Sequence, residues 1–431
     1  MKFPKLFSRN TPASEVKESA AAATMVMNPG QAVWTPRDYA SLARESYVMN
    51  VIAYQSVNKI GEAVGSVKWT AWRGDTEVTE SPLLDLIRQP NPQQSYADLA
   101  MAKVGYKLLS GNNYDERVTV GGIPKELYTQ RPDRMTVTLD ASGEVSKYTY
   151  KVNGKETVWP GPGRDVADIQ HSKLFHPLND VYGLGAVEPG AFAIDQSNEG
   201  MAWVQALLQN SARPSGALVS DKDNPLGEEN FNRLKTQIEE QYSGAANAGR
   251  PMLLEGGLDW RAMGFSPTDM GIIEANNAAA RNIALAFGVP PQMLGIPGDN
   301  TYSNYQEARL AFWEDTVIPM VKSIGQEWTR WLSDAFGGLE LRPDFDHIPA
   351  IADKRETMFD MAQGATFLSL DEKRKLAGFP ELGSAKGGDL IQDRDGITSQ
   401  PEGPTSEDDI KAIAKLAGYE VKSPIPIKAV K

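Results

Sequence analysis

The sequence predicts an α+β fold, and three observations predict it. Residues 113–180 read as β-rich, long helical patterns dominate residues 189–336, and the two regimes are segregated along the chain instead of alternating. A length of 431 residues suits two or more domains, or one subunit with several lobes.

Composition narrows the class. The apolar fraction of 41% and charged fraction of 23% are ordinary for a globular protein. No apolar run reaches the roughly 18 residues of a membrane span, so no membrane partner is expected. The N-terminus MKFPKLFSRN is basic but is followed by neither an apolar run nor a small-residue cleavage site, so no signal peptide is expected. The absence of cysteine excludes disulfides and thiolate metal sites. A formal charge of −12 argues against a protein that grips nucleic acid tightly, because tight binders neutralise phosphates with clustered Lys and Arg.

The elements follow in order. Residues 1–34, rich in Ala, Ser and charge without periodicity, read as a disordered arm. From Pro36 to about Val67 the pattern is helical, with Val48, Val51, Ile52, Ile60, Ala63 and Val64 mostly on one face. Val67, Trp69 and Ala71 alternate with polar residues before a turn at Gly74-Asp75, which predicts a hairpin. Ser81 then caps a short helix with Pro82 at its first position. Ser95 and Asp98 form a capping box for a helix that stops near Gly111. Strands are expected at 117–120, 135–139 and 148–152, separated by turns at Gly121-Gly122, Ser142-Gly143 and Asn153-Gly154.

A helix over 189–211 spans roughly 35 Å at 1.5 Å per residue. A compact α/β insert follows, with a strand at 216–220, a helix at 226–242 and strands near 252–254 and 259–263. The next helix, 270–287, carries many alanines, which allow close helix–helix approach but are also simply good helix formers. Ser303 and Gln306 suggest a capping box opening a helix over 303–336, roughly 50 Å long, which Pro319 should kink. A strand at 339–341 and helices near 350–363 and 370–377 complete the pattern. The tail beyond Gly383 is rich in Gly, Pro and charge and carries one amphipathic helix capped at Ser406.

A search for chemistry returns little. There is no P-loop, no G-x-S-x-G elbow and no H-E-x-x-H, and Gly161-Pro162-Gly163 is a turn, not a dinucleotide loop. His171 and His176 lie five apart, a poor spacing for two ligands on one face. Asp344, Asp346 and His347 are the most metal-like cluster, set against the plainer reading of a polar turn before a helix. Trp313, Trp328 and Trp331 suit base stacking or, at helical spacing, a core or subunit interface. No catalytic residue, metal or cofactor is assigned.

One segment carries more. Residues 287–306 end a helix at Gly288, break it at Pro290-Pro291, and lead through a polar loop into the long helix. Phe287, Gly288, Val289, Pro290, Pro291, Leu294 and Gly295, followed by Ser303 and Asn304, resemble the hallmark of phage portal proteins of the compact siphophage-type branch. Leu108 to Asn112, Asp168 to His171, Gly183-Leu184-Gly185, and Leu370 to Arg374 with Gly378-Phe379-Pro380 are similar to further family stretches. Gly185-Ala186-Val187-Glu188-Pro189 departs from the family's frequent Gly-x-Ser-Pro.

The resemblance implies a ring of twelve subunits at one capsid vertex, in the virion and, during assembly, in the host cytoplasm. It implies a wing (35–188 and the strand region 338–348), a stem of helices 189–211 and 269–287, a clip (212–268), a tunnel loop (288–302), a kinked tunnel helix (303–337) and a crown (349–385). It also implies double-stranded DNA passing through the channel, docking of a terminase large subunit and then a head–tail adaptor, and contact with the major capsid protein. On that picture Gly298, Asp299, Asn300, Thr301 and Tyr302 meet DNA, and Glu188, Asp195 and Glu199 give the stem an acidic channel face. Two other readings stay open: another oligomeric head–tail connector or minor capsid protein, and a metal-dependent hydrolase built on Asp344, Asp346 and His347.

Overall fold

The computed structural model describes residues 34–162, 168–209, 216–220, 227–242, 258–262, 271–298, 302–365 and 367–376, with short stretches between 382 and 399. The arm before residue 34, the strand near 252–254 and the helix capped at Ser406 lie outside the described residues.

Asp38 caps α1 (Tyr39–Ala43) by accepting from Ser41 N, and a π-helical turn over Arg44–Val48 follows. Asn50 then starts α2 (Val51–Gly65), its side chain accepting from Ile52 N and Ala53 N. The single helical pattern expected from Pro36 to Val67 is therefore broken by a cap in mid-run. The break reorients its apolar residues. Ala53, Val57, Ile60 and Val64 are buried, whereas Val48 and Val51 are exposed.

β1 (Lys68–Arg73) and β2 (Thr76–Val78) form the hairpin around Gly74, whose φ of 60° is left-handed. Ser81 caps α3 (Pro82–Arg88), accepting from Leu84 N with Pro82 in the first turn. Ser95 and Asp98 make the reciprocal capping box of α4 (Tyr96–Ser110). Beyond α4 come β3 (Asn112–Val120), β4 (Ile123–Gln130), β5 (Met135–Leu139), β6 (Val145–Val152), β7 (Lys155–Pro160) and β8 (Ile169–Lys173). They form two antiparallel sheets of order β4-β3-β8 and β5-β6-β7. The expected strands are there, and β4, β7 and β8 complete them.

The helical half begins with α5 (Val187–Gln209). The insert gives β9 (Gly216–Ser220), α6 (Glu228–Tyr242) and β10 (Leu258–Ala262), with β9 and β10 antiparallel. Then come α7 (Ile272–Phe287), α8 (Tyr302–Ala311) and α9 (Ile318–Leu332). α5 and α7 approach closely through small residues: a Cβ on Gly190 would stand 3.2 Å from Ala286 Cβ, and one on Gly200 2.9 Å from Asn276 Oδ1. β11 (Glu340–Asp344) returns to pair with β1, setting Ala71 opposite Leu341 in a sheet of order β11-β1-β2. α10 (Pro349–Gly364), α11 (Leu370–Leu376) and the short pair β12 (Ile391–Gln392) and β13 (Thr398–Ser399) follow.

One main core unites these parts. Ile60, Leu99, Val104, Ile194, Ile283, Phe287, Ile324 and Trp328 belong to it, so α2, α4, α5, α7 and α9 share a single apolar interior. A smaller cluster around Tyr114, Tyr148, Trp159 and Ile169 stitches the two β-sheets together.

Candidate functional site

The proline-broken segment has a physical account residue by residue. Phe287 and Val289 are buried, while Gly288 between them adopts a left-handed φ of 70° and ends α7. Gly288 N donates to Leu285 O (3.0 Å) and Val289 N to Ala284 O (2.9 Å), which satisfies the last carbonyls of the helix. Pro290 is extended, and Pro291–Leu294 make one 3-10 turn closed by Gly295 at φ 71°. The chain then folds back along α7. Ile296 is buried against Ala280 and Ala284, and Arg281 Nη2 donates to Pro297 O (2.5 Å). A Cβ on Gly298 would lie 3.3 Å from the same guanidinium.

Asp299, Asn300 and Thr301 lie outside the described residues. Tyr302 is the first residue of α8, so the helix starts one position before the cap expected at Ser303. Ser303 therefore sits inside the first turn, and the Ser303/Gln306 capping box is not the start of this helix. Asn304 is half-buried in the same turn.

The long helix is not uniform. Between α8 and α9 the chain makes a π turn over Phe312–Val317, with Ile318 N donating five residues back to Trp313 O. Pro319 follows in the first turn of α9. Lacking an N–H, it could not continue an α-helical ladder from Asp315, and the π turn lies directly before the missing donor. Thr316 within this turn donates from its hydroxyl to Gly288 O (2.5 Å), which ties the end of α7 to the irregular turn.

Sequence reasoning missed a charge cluster that joins α9 to the β-rich half. Lys103 Nζ on α4 is 2.6 Å from Asp115 Oδ2 on β3 and 3.3 Å from Glu327 Oε2 on α9. Lys107 Nζ is 2.9 Å from Glu327 Oε1, which also accepts from Ser172 Oγ (2.7 Å) on β8. Asp115 further accepts from Thr129 Oγ1, Asn113 Nδ2 and Trp328 Nε1. Burial pushes the Glu327 carboxyl up, but Lys103 and Lys107 outweigh it and hold it down at about 2. Burial likewise pushes Lys103 down, and the two carboxylates reverse this to raise it. The cluster fixes three elements to one another: α4, the β4-β3-β8 sheet and α9. The only signal in the sequence was the i, i+4 pair Lys103/Lys107 on an otherwise apolar helix face, with Glu327 inside an apolar run.

The other candidates fall into place. Asp195 does not lie on a solvated face: it is 8% exposed and accepts from Thr35 N (3.1 Å) and Thr35 Oγ1 (2.5 Å). Arg37 stacks 4.8 Å from the ring centroid of Phe192 on the same helix. The middle of the expected acidic face is thus covered by residues 35–37, while Glu188 and Glu199 remain exposed. Trp313, Trp328 and Trp331 are all under 8% exposed, so they serve the core and present no face to a base. His347 Nε2 contacts Ser66 O (2.9 Å), and Asp344 Oδ1 accepts from Asp346 N (2.8 Å), the pattern of a polar turn. Among the described residues no group of three acidic or histidine side chains could hold a metal ion, and no helix is long and apolar enough to cross a membrane.

A junction of bare backbone orients α5. Gly111 is left-handed at φ 76°, and a Cβ there would lie 2.4 Å from the carbonyl of Gly183. Asn112 Oδ1 accepts from Gly183 N (2.8 Å) and pairs with His171 Nε2 (3.0 Å). His171 stacks on Tyr114 at 4.3 Å, and burial holds its imidazole down at about 4, so it is the neutral donor to Asn112 near neutral pH.

Comparison with known proteins places this geometry. The family described as Phage portal protein matches residues 52–378. A chain in the neck of the native gene transfer agent particle, solved with C12 symmetry, is 45% identical, with a TM-score of 0.63 over 81% of this chain and 96% of that one. The same neck in the empty particle, with C6 symmetry, gives 44% identity and a TM-score of 0.65. A protein of Rickettsia bellii (strain RML369-C) is 41% identical over 352 residues, 80% of this chain and 90% of its own. The portal protein of Enterobacteria phage HK97 is 25% identical over 325 residues, 72% of each chain. Such matches define a structural virion component that is not an enzyme. The chain belongs to the phage portal protein family.

Proposed function

We propose that this chain is the portal subunit of a tailed-phage-like particle, twelve copies of which surround a channel for double-stranded DNA at one capsid vertex. The observation that carries this is the likeness to the C12 neck chain of the gene transfer agent, at 45% identity over nearly all of that chain. The same likeness favours a gene transfer agent or related prophage particle as the setting, with assembly in the host cytoplasm.

Each part then takes a role. Residues 35–188 with β11 form the wing, α5 and α7 the stem, and the β9–α6–β10 insert the clip that meets the terminase large subunit and later a head–tail adaptor. The outer wall contacts the major capsid protein. Residues 288–302 form the tunnel loop, with Gly298, Asp299, Asn300, Thr301 and Tyr302 nearest the DNA, and α8–α9 form the tunnel helix. α10 and α11 form the crown. A net charge of −12 suits a conduit that must not hold DNA, since lasting binding rests on neutralising phosphates. Glu188 and Glu199 supply the acidic stem wall; Asp195 is withdrawn from it.

Deleting residues 298–302 tests this directly. Rings should still form in negative-stain images, and particles carrying the deletion should package or retain less DNA. Normal packaging by such particles refutes the loop assignment, and a wild-type chain that forms no ring refutes the portal reading.

A further inference from the structure

The two most exposed large apolar side chains of the described residues sit on one loop. Phe175 is 85% and Leu178 91% exposed, between β8 and α5. The loop is tied from within. Leu178 N donates to His176 Nδ1 (3.0 Å), Val181 N and Tyr182 N both donate to Asn179 Oδ1 (2.9 Å each), and Lys173 Nζ donates to Asp180 O. Val137 N donates to Tyr182 Oη (3.0 Å), and Gly183 N to Asn112 Oδ1. A loop so tied holds its two apolar side chains in water in a set geometry, which lowers the ordering cost of burying them in a partner.

A receptacle of matching size lies elsewhere in the fold. A cavity of about 260 Å³ is walled by Val67, Trp69, Leu84, Ile87 and Tyr96, with Ser66, Lys68 and Arg88 also in its lining. A void of roughly 150 Å³ accommodates a benzene ring, so this one has room for a phenyl group and part of a leucine. Its charge also fits: Lys68 at the cavity is cationic and exposed, and Asp180 on the loop is anionic and exposed, whereas Arg88 is already paired with Asp85.

Position decides how the two can meet. Tyr96 of the cavity wall is the first residue of α4, whereas the loop is fastened to the other end of that helix, with Leu174 N donating to Gly111 O (2.8 Å). Fifteen helical residues hold the ends roughly 22 Å apart. One subunit cannot fill its own cavity with its own loop. A ring needs a head-to-tail contact between two different surfaces of the same chain, and loop and cavity are two such surfaces.

We propose that the Phe175–Leu178 loop of each subunit inserts into the Trp69/Leu84/Ile87/Tyr96 cavity of its neighbour and forms part of the ring joint. This rests on the ring reading above. Two variants of the full-length chain test it: Phe175→Asp/Leu178→Asp removes the loop's apolar tip, and Ser66→Trp sets an indole across the cavity lining. Circular dichroism is expected to match wild type for both, and sedimentation to show rings reduced at least tenfold. Mixed together, the two variants retain one intact loop and one intact cavity, so they should form a one-to-one dimer that grows no further. Folded variants that still assemble rings overturn the joint while leaving the portal reading standing. A mixture that stays monomeric also overturns the pairing. A wild-type chain without rings overturns the portal reading, and the joint with it.

Discussion

Lys103 and Asp115 form an ion pair at 2.6 Å with both side chains at or below 2% exposure, and Glu327 of α9 closes on the same ammonium at 3.3 Å. A buried pair is costly to desolvate, and its single partners are costlier to leave alone. Its place at the meeting of α4, β3 and α9 makes it a fastening between the β-rich half and the helix after the proline-broken loop.

Removing one partner should therefore hurt more than removing both. Lys103→Met, which leaves the buried Asp115 without its cation, is expected to destabilise the fold by about 3–5 kcal/mol. The double change Lys103→Met/Asp115→Leu, which keeps the Glu327–Lys107 pair, should recover part of that loss. Urea unfolding of the two variants beside the wild type checks the order, and a double variant weaker than Lys103→Met contradicts it.

Acid should weaken the protein in two windows. His171 is held down from 6.5 to about 4, so the unfolded chain takes up the proton first as pH falls. Its contribution is complete above pH 6.5 and is lost on descent to about 4, a change of roughly 2 kcal/mol after allowance for partial exposure. Glu327 is also depressed, to about 2, so its contribution holds above about 4.5 and fades below that. His171→Phe should flatten the first window and Glu327→Gln the second, measured as melting temperature against pH.

The glycine junction invites a paired comparison. Gly111→Ala must accommodate both a left-handed φ and a Cβ 2.4 Å from the Gly183 carbonyl, and should cost about 3 kcal/mol or more. Gly74→Ala has a similar φ with open space around it, and should cost about 1 kcal/mol. Equal losses in thermal unfolding contradict the steric account.

Asp195→Ala should free the segment it holds. With the bonds to Thr35 gone, hydrogen exchange at residues 35–38 should accelerate about tenfold while global stability falls by roughly 1 kcal/mol. Unchanged exchange there means the carboxylate does not anchor the segment.

Local signals were the legible part of this sequence. The caps at Ser81 and Ser95, the turns at Gly74 and Gly154, and the alternation in β1 act within a few residues, and the helices and hairpins formed where they pointed. The helical pattern over Pro36–Val67 holds, but the break inside it is hidden because Asn50, which caps α2, sits among apolar residues. The proline-broken segment was legible through its glycines and prolines, which fix backbone angles by themselves. Long-range pairing was not legible. Nothing near Asp195 announces Thr35, 160 residues earlier, and nothing near Lys103 announces Glu327. Their distances come from packing, which brings together faces that the one-dimensional pattern treats separately.

Where Gly111 meets Gly183, main chain rests on main chain with no side chain between to bend or change rotamer. Such a bearing has no slack. A push against the base of α5 passes through that backbone contact into the start of β3, so the helix and the strand move as one piece.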